Sequence, residues 1–129
     1  MQDRLQMLTG RVVRGKQLGR TLGFPTANLA LPKGRVIPAY GVYTAWLETD
    51  DKRYPAVLNV GRHPTLPEGH ATMEAHVLDE KVMLYGKKVR IVFLHFQRGE
   101  RRFESVEALK TQIARDAEAA RAWFQNNPG

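Results

Sequence analysis

Three features of the sequence predict a mainly β domain, a small antiparallel barrel or sandwich capped by one C-terminal helix. Short runs of β-branched and aromatic residues recur along the chain, each bounded by glycine, proline or a polar turn. Apolar and polar residues alternate within them, as with Met73, Ala75 and Val77 against Glu74 and His76. From Ser105 onward the apolar period lengthens to three or four residues, which marks a helix. At 129 residues the chain reads as one domain with its core within about 8–124, long enough to fold without crosslinks. No repeat, low-complexity tract or interdomain linker interrupts it.

Residues 9–14 (TGRVVR) form the first predicted strand, and it runs into GKQLGRTLGFPTAN, residues 15–28. That stretch sets three glycines four apart (Gly15, Gly19, Gly23), two cations (Lys16, Arg20) and a rigid Phe24-Pro25 step. Thr26 and Asn28 follow on either side of Ala27. Glycine lets backbone N–H groups approach an anion closely, and consecutive N–H groups in such turns make concave anion sites. The spacing is neither the Walker A pattern nor GxGxxG. It reads as a phosphate-binding loop of another design, or, taken alone, as a glycine-rich surface turn.

Residues 29–40, punctuated by Pro32, Gly34 and Pro38, read as loop. GVYTAWLE (41–48) and YPAVLNV (54–60) are strands joined by the polar turn at 49–52, a hairpin. GRHPTLPEGH (61–70) is loop again, and no chemistry is assigned to His63, Pro64 or Thr65. TMEAHVL (72–78) is a half-buried strand, and KVRIVFLHF (88–96) a long one after the Tyr85-Gly86 turn. The helix carries Val106, Leu109, Ile113, Ala117, Ala120 and Phe124 on its apolar side. Ser105 is its predicted N-cap, and Glu107 suits the positive end of its dipole. Trp46 and Trp123 read as packing residues.

Composition narrows the function classes. There is no cysteine, so disulfides and thiolate metal sites are excluded, and a reducing cytoplasm suits the chain. No apolar run approaches the ~18 residues of a membrane span, and MQDRLQM has no signal-peptide core. A net charge of +7 invites a nucleic-acid reading. The basic residues are scattered, however, with no dense run and no interleaved aromatic pattern of an RNA module. Attraction for polyphosphate substrates accounts for the charge equally well.

The motifs, taken in order, resemble those of the riboflavin kinase family, which also forms the C-terminal module of bacterial bifunctional riboflavin kinase/FAD synthetases. Besides residues 15–28, the resemblance rests on Gly41-Val42-Tyr43, on Asn59–Thr65 (NVGRHPT) and on Glu74-Ala75-His76. It continues through Leu84-Tyr85-Gly86, through Arg98, Glu100 and Phe103 (RxExxF), and through Leu109, Gln112, Ile113 and Asp116 (LxxQIxxD). It covers nearly the entire chain. It implies a six-stranded Greek-key β-barrel with a C-terminal α-helix, and a function: ATP-dependent phosphorylation of the ribityl terminal hydroxyl of riboflavin to FMN, with Mg²⁺ or a similar divalent cation. The alternatives are a flavin- or FMN-binding module of the same fold without kinase activity, and a basic RNA-binding barrel. Only about eight residues precede the first predicted strand, so no adenylyltransferase domain is expected in this chain. It should make FMN and no FAD.

Phosphoryl transfer to an alcohol needs positioning, charge neutralisation and a base near the hydroxyl. Mg²⁺ prefers oxygen donors and keeps several waters. Residues two apart on an extended segment share a face, so the Thr26 and Asn28 oxygens could meet one ion. They could equally hold their own loop. The resemblance assigns them metal and phosphate contact. It makes Glu74 the catalytic carboxylate; His76, on the same face, reads as structural. The resemblance implies ATP contacts from Gly15, Arg20, the Val77 backbone, Asp79 and the Tyr85 ring. It gives flavin contacts to Arg98, Arg101 and Phe103.

Overall fold

Hydrophobic alternation, the dominant local signal in the strand runs, closes this chain on itself. A computed structural model describes residues 6–13, 27–30, 39–62 and 71–128. Six antiparallel strands, β1 (Gln6–Val13), β2 (Ala27–Ala30), β3 (Gly41–Glu48), β4 (Arg53–Arg62), β5 (Ala71–Val77) and β6 (Lys88–Arg98), are followed by helix α1 (Val106–Asn126). Their spatial order, β1-β2-β5-β4-β3-β6, forms a closed barrel. β3, β4 and β5 run consecutively, and β6 returns beside β3, which is the Greek-key order. Among the described residues, closure gives every strand a neighbour on both sides.

Each strand turns alternate side chains inward. Tyr43, Ala45 and Leu47 of β3 meet Ala56, Leu58 and Val60 of β4, Met73, Ala75 and Val77 of β5, and Val89, Ile91 and Phe93 of β6. Leu8 and Val12 of β1 and Leu29 of β2 complete this cluster. The interior is therefore packed with side chains, and polar residues are driven to the outer wall. Burying a leucine such as Leu47 or Leu58, both fully enclosed, contributes ~1.5–3 kcal/mol relative to exposure.

β2 was legible only as an extended segment around Thr26 and Asn28; its second half, Leu29-Ala30, lies in the stretch read as loop. It is four residues long, the shortest run over which alternation can be read. β1 begins at Gln6, earlier than the pattern suggests, because its first six residues pair with β6 from Gln6↔Phe93 to Arg11↔Lys88.

α1 starts where expected: Ser105 accepts the Ala108 amide proton at 3.1 Å, and Glu107 lies in the first turn. Its second half packs on the outside of the barrel, where Ala117 and Ala120 join Val42, Val57 and Leu78 in a second cluster, with Phe124 against it. Small residues at the contact let the helix approach closely. Phe124 also meets Trp46 (ring centroids 4.7 Å apart) and Trp123 (5.4 Å), which makes both tryptophans packing residues here. The apolar stripe is narrower than predicted at its start: Val106 is exposed, because the first turns project beyond the packed clusters.

Candidate active site

Strand register places three of the candidate residues, Asn28, Glu74 and Arg98, on one line around the barrel wall. Val13 pairs with Asn28, Asn28 with Glu74, Glu74 with Asn59, Asn59 with Val42, and Val42 with Arg98. Flanking residues on each strand (Leu29, Met73, Ala75, Leu58, Val60) point into the core, so Asn28, Glu74 and Asn59 all point outward. Asn28 and Glu74 are partly covered, whereas Asn59 is exposed. Directly opposed residues in an antiparallel pair have Cβ atoms ~4.5–5.5 Å apart. The carboxylate of Glu74 thus stands between two side-chain amides, one on each neighbouring strand.

The sequence places Asn59 in the strand 54–60 and in the NVGRHPT motif without giving it a role. An asparagine inside the otherwise aliphatic run AVLNV was the available signal, because asparagine is depleted from strands. Of the other ATP-side residues, Gly15, Arg20 and Thr26 lie outside the described residues. Val77 is buried in the core, which leaves its backbone as the group that could meet a ligand. Tyr85 is exposed on a turn that docks against β1, with Gly86 N–H donating to the Val12 carbonyl and Arg11 donating to the Gly86 carbonyl. Val12 adjoins Val13 and so lies beside the Asn28 end of the line.

Asp79 follows β5 in a left-handed conformation (φ 60°), which aspartate tolerates better than most residues. Its carboxylate is engaged by Arg121 of α1, with Nε at 2.9 Å and Nη2 at 2.8 Å. That hydrogen bond holds its pKa below the usual carboxylate value and raises that of Arg121. His76, on the same outer face as Glu74, has its pKa lowered first by burial and then by the nearby Arg121 charge, with Asp79 opposing.

At the other end of the line, Arg98 is clamped. Its Nε and Nη2 meet Asp116 Oδ1 and Oδ2 at 2.9 and 2.7 Å, and its Nη1 donates to the Gly99 carbonyl at 2.9 Å. Two parallel N–H···O bonds to one carboxylate make this a bidentate pair, and Asp116 is buried. Gln112 donates to Asp116 at 2.9 Å and accepts from Arg101 at 2.7 Å. Arg101 in turn lies over the Phe103 ring, 5.6 Å from its centroid. Arg98 therefore anchors the 99–105 loop to the helix, while Arg101 and Phe103 line an open groove of ≈ 290 Å³ with Thr111, Gln112 and Arg115. Neither Gln112 nor Asp116 was given a role from sequence, although the LxxQIxxD spacing marked them: residues four apart share a helix face.

The loop's path depends on two glycines. A Cβ on Gly61 would lie 2.8 Å from the Glu100 carboxylate, so the loop crosses directly over β4 two residues from Asn59. Gly41 has φ +151°, and a Cβ there would collide with the Arg98 carbonyl oxygen. Two register shifts between β3 and β6, one on each side of Tyr43-Thr44, bend β6 just before Arg98. The buried Thr44 hydroxyl is satisfied there by Gln97 at 2.7 Å.

No cluster of three or more histidine, aspartate or glutamate side chains suited to a metal occurs among the described residues. The oxygen-bearing outer-wall set, Asn28 with Glu74 opposite, fits a hard cation that keeps most of its waters.

The site thus sits on the outer wall of a side-chain-filled, closed antiparallel barrel, beside a loop that carries arginine and an aromatic ring. Residues 3–124 match the riboflavin kinase (flavokinase) family, and the chain belongs to that family. It is 44% identical over 118 residues to the bifunctional riboflavin kinase/FMN adenylyltransferase of Escherichia coli K12, covering 91% of this chain and 37% of that protein. It thus spans little more than a third of this relative. Among solved structures it resembles riboflavin kinase from Trypanosoma brucei (TM-score 0.65, 28% identity, 95% of this chain and 80% of that one). It also resembles a Streptococcus pneumoniae chain named as a macrolide-efflux protein (TM-score 0.81, 34% identity, 91% of this chain and 38% of that one). Among the described residues here, no helix is long and apolar enough to cross a membrane.

Proposed function

We propose that this chain transfers the γ-phosphoryl group of ATP to the terminal ribityl hydroxyl of riboflavin, giving FMN and ADP. The observation that carries the reading is the register line itself. It sets a carboxylate, Glu74, between an amide-bearing strand on the phosphate side and the Arg98–Phe103 loop on the other. Three strand spacings separate Glu74 from Arg98, ~14 Å along the wall at ~4.8 Å per step. An elongated flavin, with its ring at the loop and its reacting hydroxyl at the carboxylate, suits such a spacing.

Glu74 accepts the hydroxyl proton as the ribityl oxygen bonds to the γ-phosphorus, and the bond from that phosphorus to the β,γ-bridging oxygen breaks to release ADP. A loose transition state demands little early deprotonation, so orienting the hydroxyl is the larger part of this role. Asn28, with Thr26 two residues before it, would hold a divalent cation by oxygen donors. When bound, that ion neutralises charge on the β- and γ-phosphates. Arg101 and Phe103 bind the ring system, the ring by its face and the guanidinium by hydrogen bonds to flavin carbonyls. Val77 and Tyr85 border the nucleotide. Asp79 acts as the bridge that holds α1 to the end of β5.

Incubation with riboflavin and Mg-ATP, with FMN separated by chromatography, tests the reading. Formation of FMN in step with ADP is the expected result. Tight riboflavin binding without FMN would leave a flavin-binding module instead.

A further inference from the structure

The four side chains Arg98, Asp116, Gln112 and Arg101 form one continuous chain of hydrogen bonds from the barrel wall to the groove. Its links differ in environment. The Arg98–Asp116 end is largely covered, whereas Arg101 is exposed. Gln112 is the only link between the two ends among the described residues. We propose that Gln112 is a positioning residue for the flavin: it fixes the Arg101 guanidinium in the groove by tying it to the buried Asp116–Arg98 pair. This inference rests on the reading of the Arg101–Phe103 groove as the flavin site.

The chemistry of the link selects an amide. Asp116 Oδ1 accepts a proton at 2.9 Å and Arg101 Nη1 donates one at 2.7 Å, so the residue between them must donate on one side and accept on the other. A glutamine side chain does both with one planar group. A carboxylate there would keep the bond to Arg101 but stand against Asp116, and an apolar chain would keep neither. The helix supplies the geometry, since Gln112 and Asp116 are four residues apart and lie one above the other on the same face.

An exposed arginine has many rotamers, and fixing one costs conformational freedom. Arg101 is held at two points before any ligand arrives, by Gln112 at Nη1 and by the Phe103 ring beneath its guanidinium. Its Nε and Nη2 protons stay available for hydrogen-bond acceptors. Such preorganisation raises affinity without adding a contact to the ligand.

The test is a double-mutant cycle on riboflavin binding, read by quenching of flavin fluorescence, with steady-state kinetics alongside. The variants are Gln112→Met, Gln112→Glu, Arg101→Ala and Arg101→Ala/Gln112→Met, each checked for helix content by circular dichroism. Gln112→Met should weaken riboflavin roughly tenfold, the scale of a lost hydrogen bond to a charged group. The KM for ATP and the kcat at saturating riboflavin should stay within about twofold, the signature of lost ground-state positioning. Gln112→Glu should fall between parent and Gln112→Met. In the Arg101→Ala background Gln112→Met should add nothing, because its effect passes through the missing guanidinium.

Affinity unchanged in Gln112→Met, or losses that simply add in the double variant, would overturn the proposal. If Arg101→Ala alone leaves riboflavin affinity intact while the parent still makes FMN, the proposal falls and the kinase reading stands. A parent that binds no riboflavin overturns both.

Discussion

Asn28 and Glu74 are direct register partners across the β2–β5 ladder, both facing outward from a wall whose inner side is closed by Leu29, Met73 and Ala75. The pairing joins the end of the glycine-rich segment to the Glu-x-His strand, two motifs 46 positions apart (74 − 28). It gives the carboxylate an amide neighbour that no local sequence rule requires.

Glu74→Gln should reduce turnover by at least ~10²-fold, the scale of a lost general base, with riboflavin affinity little changed. Single-turnover FMN formation beside fluorescence titration separates the two. Near-normal turnover would remove Glu74 from the chemistry.

Asn28→Ala should raise the Mg²⁺ concentration needed for half-maximal activity and weaken Mg-ADP binding more than riboflavin binding. Thr26→Ala should behave alike, since both oxygens are proposed to face one ion. Calorimetric titration with Mg-ADP, compared with ADP in chelator, reads the effect. Equal affinities in parent and variants would make both residues loop supports only.

Arg98→Ala strands the Asp116 carboxylate, which is 9% exposed in its side chain. Removing one partner of a buried pair costs ~3–5 kcal/mol. Arg98 is itself about a fifth exposed, so the lower end of that range is expected in urea unfolding, together with a raised KM for riboflavin as the loop loosens. Stability within ~0.5 kcal/mol of the parent would contradict the clamp.

Gly41→Ala should destabilise the fold by more than ~1–3 kcal/mol, since the residue holds a backbone angle costly for L side chains and its new Cβ would collide with the Arg98 carbonyl oxygen. Because that carbonyl begins the 99–105 loop, proposed to carry the flavin contacts, a temperature-sensitive riboflavin KM should accompany the loss.

His76 supplies a pH test. Its pKa is lowered in the fold by burial and by Arg121, below its ordinary value of 6.5. The unfolded chain therefore takes up this proton first, and stability falls as pH drops through about 6.5 towards the folded value. Asp79 acts at lower pH, its contribution present above its ordinary 3.8 and lost as pH falls through its depressed value. His76→Gln should flatten the thermal stability profile between about pH 7 and 5. An unchanged slope would locate that pH dependence elsewhere.

Much of this architecture was legible from local pattern. β3 and the helix start match the predicted bounds, β5 differs by one residue, and Glu74 lies outward as alternation requires. What pattern could not supply is register. Nothing in AVLNV says that Asn59 will face Glu74, because lateral pairing is set by the whole barrel rather than by neighbours in sequence. The same holds for Arg98. The resemblance gives Arg98 a flavin contact, and the fold adds a partner for its guanidinium in a buried aspartate eighteen residues on (116 − 98), a match visible only once α1 lies on the wall. Arg101, three positions later, is the arginine left facing the groove.

The brevity of β2 has a consequence in time rather than in space. Only three register pairs on each side sew Ala27–Ala30 into the barrel, against eight between β3 and β4. Segments held by few contacts open locally at free energies far below that of global unfolding. Asn28 can therefore part from Glu74 while the β3–β4 half of the wall stays closed, so the β2 end of the wall has its own clock. Amide hydrogen exchange should show it, with Asn28 and Leu29 exchanging well before Leu58 and Val60, and slowing once Mg-nucleotide is bound.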